Sequence, residues 1–141
     1  MNKGREITAE SSAYVPVTSD KARVFDLDER TAKFGEEVIR LCKGVRLTVI
    51  TEPLVRQFVK SGTSVGANYS EANDAVSRKE FRQKIGYCKK EARESKHWCR
   101  MLAVADADLT EQARVLWKEA HELTLIFASI FRKLSTKKPT T

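Results

Sequence analysis

At 141 residues, with 41% hydrophobic and 32% charged side chains and only three prolines and six glycines, the chain has the makings of one helical domain around one core. A formal charge of +7 favours polyanionic partners without demanding them, and no stretch approaches the roughly 20 apolar residues of a membrane span, so neither membrane insertion nor secretion is expected. Cys42, Cys88 and Cys99 form no CxxC pair and have no histidine at metal-ligand spacing, which excludes a disulfide framework and a zinc module and suits a reducing cytoplasm.

Residues 1–24 are polar and rich in Ser and Thr, interrupted only by Tyr14-Val15-Pro16-Val17, and are expected to be a flexible N-terminal segment; the polar tail 135–141 reads the same way. That leaves 25–134 for the folded domain. Leu27, Phe34, Val38 and Leu41 share one stripe of a first helix spanning about Asp26 to Lys43, with Asp26 as cap, Glu29 three residues on, and Gly44 as its stop. A second helix is expected from Thr51, its hydroxyl as cap and Pro53 in the first turn, with Leu54, Phe58, Val65 and Tyr69 as its core stripe. Between these lie Ser61, Gly62, Thr63, Ser64, Gly66 and Ala67, poor helix formers that let another backbone come close.

Ser77-Arg78-Lys79-Glu80 has the capping-box spacing and opens the third helix. Phe81, Ile85, Cys88, Ala92, Ser95, Cys99 and Leu102 then alternate four- and three-residue steps, the seam of bundle packing. Beyond Asp106 and Asp108, Thr110 and Glu111 open a fourth helix with Leu116, Ala120, Leu123, Phe127, Ile130 and Leu134 inward. Short connections make neighbours antiparallel, and no long period-2 segment supports a sheet. The expected fold is all-α, an antiparallel up-and-down four-helix bundle.

The third helix holds nearly all of the net charge: nine cations against three glutamates leave +6 of the chain's +7. At about 100° per residue from Phe81, eight of the nine, Arg78, Lys79, Arg82, Lys89, Lys90, Arg93, Lys96 and Arg100, fall on one flank, and only Lys84 breaks the pattern. Glu80, Glu91 and Glu94 fall on the other flank with Tyr87 and Trp98. A solvated polar face is the plain explanation of such a run. A sharper one makes the basic flank a track for RNA or DNA phosphates without base readout, and a compatible one makes Tyr87, Glu91, Glu94 and Trp98 a subunit interface. For Trp98 and Trp117 individually, a core or core-edge place outranks an interface role.

No catalytic residue and no cofactor stands out. Glu94 to His97 has the ExxH spacing of di-iron bundles, but both point away from the seam and the residue three before His121 is Lys118, so no metal site is expected. Cys88 and Cys99 lie about 16 Å apart along one helix, too far for a disulfide, and read as small buried hydrophobes.

Ser61 to Ala72, then Ser77-Arg78-Lys79-Glu80-Phe81, then Glu94-Ser95-Lys96-His97-Trp98-Cys99-Arg100-Met101-Leu102, resemble the four-helix-bundle proteins encoded in 23S ribosomal RNA intervening sequences. That pattern has S-x-x-S-N-x-x-E-G in its second helix, K-E-F at the start of the third and E-S-x-x-W-L later. Asn68, Glu71, Lys79, Glu80, Phe81, Glu94, Ser95 and Trp98 match it, while Ala72 replaces a usual Gly and Cys99 a usual Leu. The resemblance runs from about Phe25 to Leu134. It implies a homo-oligomer, commonly a pentameric ring, similar to the accessory protein of diversity-generating retroelements that binds nucleic acid and a reverse transcriptase. On the residues alone, Asn68, Glu71, Ser77 and Glu80 suit structural roles, capping helices or bridging neighbours. Two functions stay open: a nucleic-acid-associated adaptor, and a protein-binding scaffold.

Overall fold

The structure, a computed structural model, describes residues 21–136. Four helices follow in order, α1 (Lys21–Lys43), α2 (Thr51–Asn73), α3 (Arg78–Ala105) and α4 (Thr110–Thr136), with one 3-10 turn at Ala107–Leu109 and no strand among the described residues. Helix α2 packs between α1 and α3, α4 packs on α3, and a lighter α1–α4 contact closes an all-α, antiparallel up-and-down bundle. No described helix is long and apolar enough to cross a membrane.

Burial follows the apolar periodicity. All seven residues of the α3 seam, Phe81 to Leu102, are at most 2% exposed. They meet Phe58, Val65 and Tyr69 of α2 and Ala120, Leu123 and Phe127 of α4 in one core. Leu54 and Ile130 are only partly buried at its edge. The buried polar side chains are few and satisfied: Thr31 Oγ1 donates to the Leu27 carbonyl at 2.7 Å, and Ser95 Oγ donates to Ser61 Oγ across the α2–α3 contact at 2.9 Å.

The small residues of α2 are where α1 comes closest. A Cβ on Gly62 would meet both Val38 methyl groups at 2.8 and 2.9 Å, and one on Gly66 would meet Thr31 Oγ1 at 3.3 Å. At Gly62 the constraint is space, and at Gly66 an added methyl group would need Thr31 to give by a few tenths of an ångström; neither glycine has a positive φ.

Two helix starts differ from the sequence expectation. Helix α1 begins at Lys21, so Asp26 lies inside it and is no cap; helical backbone pairing extends a turn ahead of the apolar stripe that marks the helix in the sequence. Most of the expected flexible segment, residues 1–20, lies outside the described residues, as do residues 137–141 of the tail. At α2 the capping hydroxyl belongs to Thr48, whose Oγ1 accepts from the Ile50 and Thr51 amides at 3.1 Å each. The Thr51 hydroxyl instead donates to the Arg46 carbonyl at 2.7 Å and accepts from the Thr48 amide at 2.8 Å, tying the connection down.

Candidate nucleic-acid interface

Helix α3 is set in register by its own start. Ser77 Oγ accepts from the Glu80 amide at 3.0 Å, and the Glu80 carboxylate accepts from the Val76 amide at 3.2 Å. With Phe81 and Ile85 inward, the flank toward α4 must carry Arg78, Arg82, Lys89, Lys96 and Arg100. The flank toward α2 carries Lys84, which pairs with Glu71 at 2.7 Å and so bridges α2 to α3. Asn68 Nδ2 donates back to the Ser64 carbonyl at 2.9 Å within α2.

Seven of the eight cations separate into two groups, with Lys79 apart from both. Arg78 and Arg82 reach over the C-terminal end of α4: Arg78 donates to the Leu134 carbonyl and Arg82 to Ser135 Oγ, with the Arg82 guanidinium 3.8 Å from the centre of the Phe131 ring. They satisfy acceptors at a helix end and complement its dipole. Lys89 also leans on Phe131, at 5.0 Å. Further along α3, Lys89, Lys90, Arg93, Lys96 and Arg100 converge with His97 and Trp117 on an open groove of about 610 Å³, in which Glu94 is the only carboxylate. Lys79 is exposed at the start of the helix.

Helix α4 supplies the aromatic wall. Trp117 and His121, one turn apart, stack at 5.2 Å with their planes 10° from parallel. Lys96 Nζ lies 5.1 Å from the indole centre and 3.0 Å from His121 Nδ1, where the ammonium must be the donor and the ring nitrogen the acceptor. A second recess of about 360 Å³ adjoins the groove and shares Arg100 and Trp117 with it; Cys99, Ala103 and Ala113 make it more apolar. Sequence reasoning gives Trp117 a core or core-edge place and His121 no metal site, and does not bring the two together beside the α3 cations. The signal is there: Trp117, His121, Thr124, Ala128, Phe131 and Ser135 repeat at four- and three-residue steps on one flank of that stripe.

On the opposite flank Tyr87 is 40% exposed, Glu94 is exposed, and Glu91 and Trp98 are half-buried, Trp98 packed against the core and edge-on to His97 at 4.7 Å. Burial raises the Glu91 pKa above its ordinary value, and the neighbouring Glu94 adds to the shift. All three cysteines are buried free thiols. Burial alone pushes Cys42 up to about 11, and burial with a small contribution from Cys42 pushes Cys99 to about 12, so both are thiols rather than nucleophilic thiolates at neutral pH. Among the described residues no group of three or more His, Cys, Asp or Glu side chains is placed to hold a metal ion.

Residues 25–129 match the family model described as the 23S rRNA-intervening sequence protein. The chain belongs to that family. A similar solved structure is a protein of unknown function from the S23 ribosomal protein family of Bacteroides thetaiotaomicron, 27% identical, with a TM-score of 0.65, covering 75% of this chain and 98% of its own. No curated protein matches the chain. The family is not one of known enzymes, and its match takes in α2, α3 and most of α1 and α4, including every cation of the groove.

Proposed function

We propose that this family member is a non-enzymatic, homo-oligomeric adaptor that holds nucleic acid, RNA first, by phosphate contacts along the α3–α4 groove. The observation that carries this reading is the convergence of Lys89, Lys90, Arg93, Lys96 and Arg100 on one open surface with a single carboxylate among them. A merely solvated face would gain from interspersed charges of both signs; five cations side by side repel one another until a polyanion neutralises them. Arg78 and Arg82 serve chiefly to dock the end of α4, and Lys79 extends the positive surface. On the other flank Tyr87, Glu91 and Trp98, with Glu94 at the border to the groove, form the subunit contact, with five copies the number the resemblance favours, in a cytoplasmic protein.

A second reading has one observation of its own. Leu47, Val49 and Ile50 in the α1–α2 connection and Val104 at the end of α3 are all more than 60% exposed, an apolar end suited to a protein partner such as a reverse transcriptase. Salt separates the two readings. Titrating a structured RNA into the intact protein at rising salt should give log K falling against log salt with a slope of about −4.5 if all five cations meet phosphates. A variant carrying Lys89→Glu, Arg93→Glu, Lys96→Glu and Arg100→Glu, of unchanged mass in solution, should not bind. Absence of binding by the intact protein at low salt overturns the nucleic-acid reading and leaves the scaffold.

A further inference from the structure

Resting on the phosphate-binding reading, we infer that the groove takes a single-stranded segment and that Trp117 stacks one unpaired base in the apolar recess beside it. Cations alone would accept any polyanion. Trp117 changes that, because it stands at the boundary of the two hollows and is 36% exposed although aromatic. His121, one turn toward the C-terminus, stacks parallel to the indole, while the recess is lined by Thr110, Ala113 and Arg114, which lie toward the N-terminus of α4. The indole thus has His121 on one side along the helix and an open apolar hollow of about 360 Å³ on the other.

The chemistry of the two hollows differs as the two ends of a nucleotide differ. The larger is cationic and wide, fitted to a sugar-phosphate backbone. The smaller has Cys99, Ala103 and Ala113 walls and Arg100 at the shared edge, fitted to a flat heteroaromatic ring whose phosphate stays in the groove. Lys96 and the stacked His121 hold the indole in place, so little side-chain freedom is lost when a base arrives. A duplex keeps its bases paired and inward, and would have to unpair one to reach Trp117. Single strands, loops and bulges therefore gain over continuous duplex.

Three 12-nucleotide probes test this on the intact chain: a single-stranded RNA, the same RNA annealed to its complement, and a strand of equal length without bases. The single strand should bind roughly 5- to 100-fold more tightly than the baseless strand, and more tightly than the duplex, at equal salt. Trp117→Ala should bring the single strand down to the baseless level, and Trp117→Phe should retain most of the difference, which guards against a folding defect in the alanine variant. In a Trp98→Phe background, where Trp117 is the remaining tryptophan, the single strand should quench its fluorescence and the baseless strand should not. Equal binding of all three probes without quenching, but with a steep salt slope, overturns the base-stacking inference and leaves the phosphate reading standing. Failure of every probe at low salt overturns both.

Discussion

Helix α4 is flanked by two seams whose charges are arranged in opposite ways. Against α1, Arg30 makes two hydrogen bonds to Glu119 at 2.7 and 2.9 Å and a third to Glu122 at 2.6 Å. The Glu119 bonds, ahead of the opposing burial, raise the Arg30 pKa further above its already high value. Against α3, the cations meet aromatic faces, a histidine, a serine and a backbone carbonyl of α4. At the first seam carboxylates of α4 partner the cation and help close the bundle; at the second the cations lie among one another, as the proposed phosphate binding requires.

Making the second seam resemble the first is the most telling way to break this contrast. His121→Glu sets a carboxylate opposite Lys96, and RNA affinity at low salt should fall about tenfold or more as one phosphate contact is lost and a repulsion is gained. Circular dichroism should show the helices intact. The converse change, Glu119→Gln with Glu122→Gln, leaves Arg30 without a charged partner and should cost about 1 kcal/mol in urea unfolding, with RNA binding unchanged. Arg82→Ala removes the contact with Phe131 and Ser135 and should cost about 0.5 kcal/mol of stability. It should lower RNA affinity less than Lys96→Ala does, because Arg82 lies over the end of α4, outside the groove that Lys96 lines.

The smallest effect lies on the α2-facing flank of α3. Since the Glu91 pKa is raised in the folded state, the chain binds that proton more readily folded than unfolded. The contribution is favourable below the ordinary glutamate range and is lost as pH rises through the raised value. Glu91→Gln should therefore stabilise the monomer slightly at pH 7 and flatten its stability between pH 4 and 7, as thermal melts across that range would show. If Glu91 lies in a subunit contact, the same change should also alter the concentration dependence of the melt.

What was legible in the sequence follows from how strongly each signal is tied to burial. The α3 seam from Phe81 to Leu102 reads directly, because a buried stripe in a bundle must repeat at four and three and any slip would bury a lysine. The Ser77 start reads equally well, because capping chemistry is local. The starts of α1 and α2 read less well. Residues 21–25 precede Leu27, the first residue of the apolar stripe, and the choice between the Thr48 and Thr51 hydroxyls at α2 depends on how the α1–α2 connection turns.

For the candidate interface, the wheel of α3 separated cations from glutamates but could not say what the cations would face. That needed the partner helix. Arg78 and Arg82 look identical to Arg93 and Arg100 on one helix, and differ only because α4 ends beside the first pair. Trp117 and His121 escaped for the same reason: a residue 100° off the core stripe is neither core nor free surface until its neighbour is placed.

The central claim is that the cations of the α3–α4 groove are phosphate contacts, and the salt slope counts them. Measured for the intact chain and for Arg93→Ala, Lys96→Ala and the double variant, the slope of log K against log salt should shrink by about 0.9 for each cation removed, while Arg30→Ala leaves it unchanged. A slope indifferent to Arg93 and Lys96, or one that falls equally with Arg30, would contradict the account.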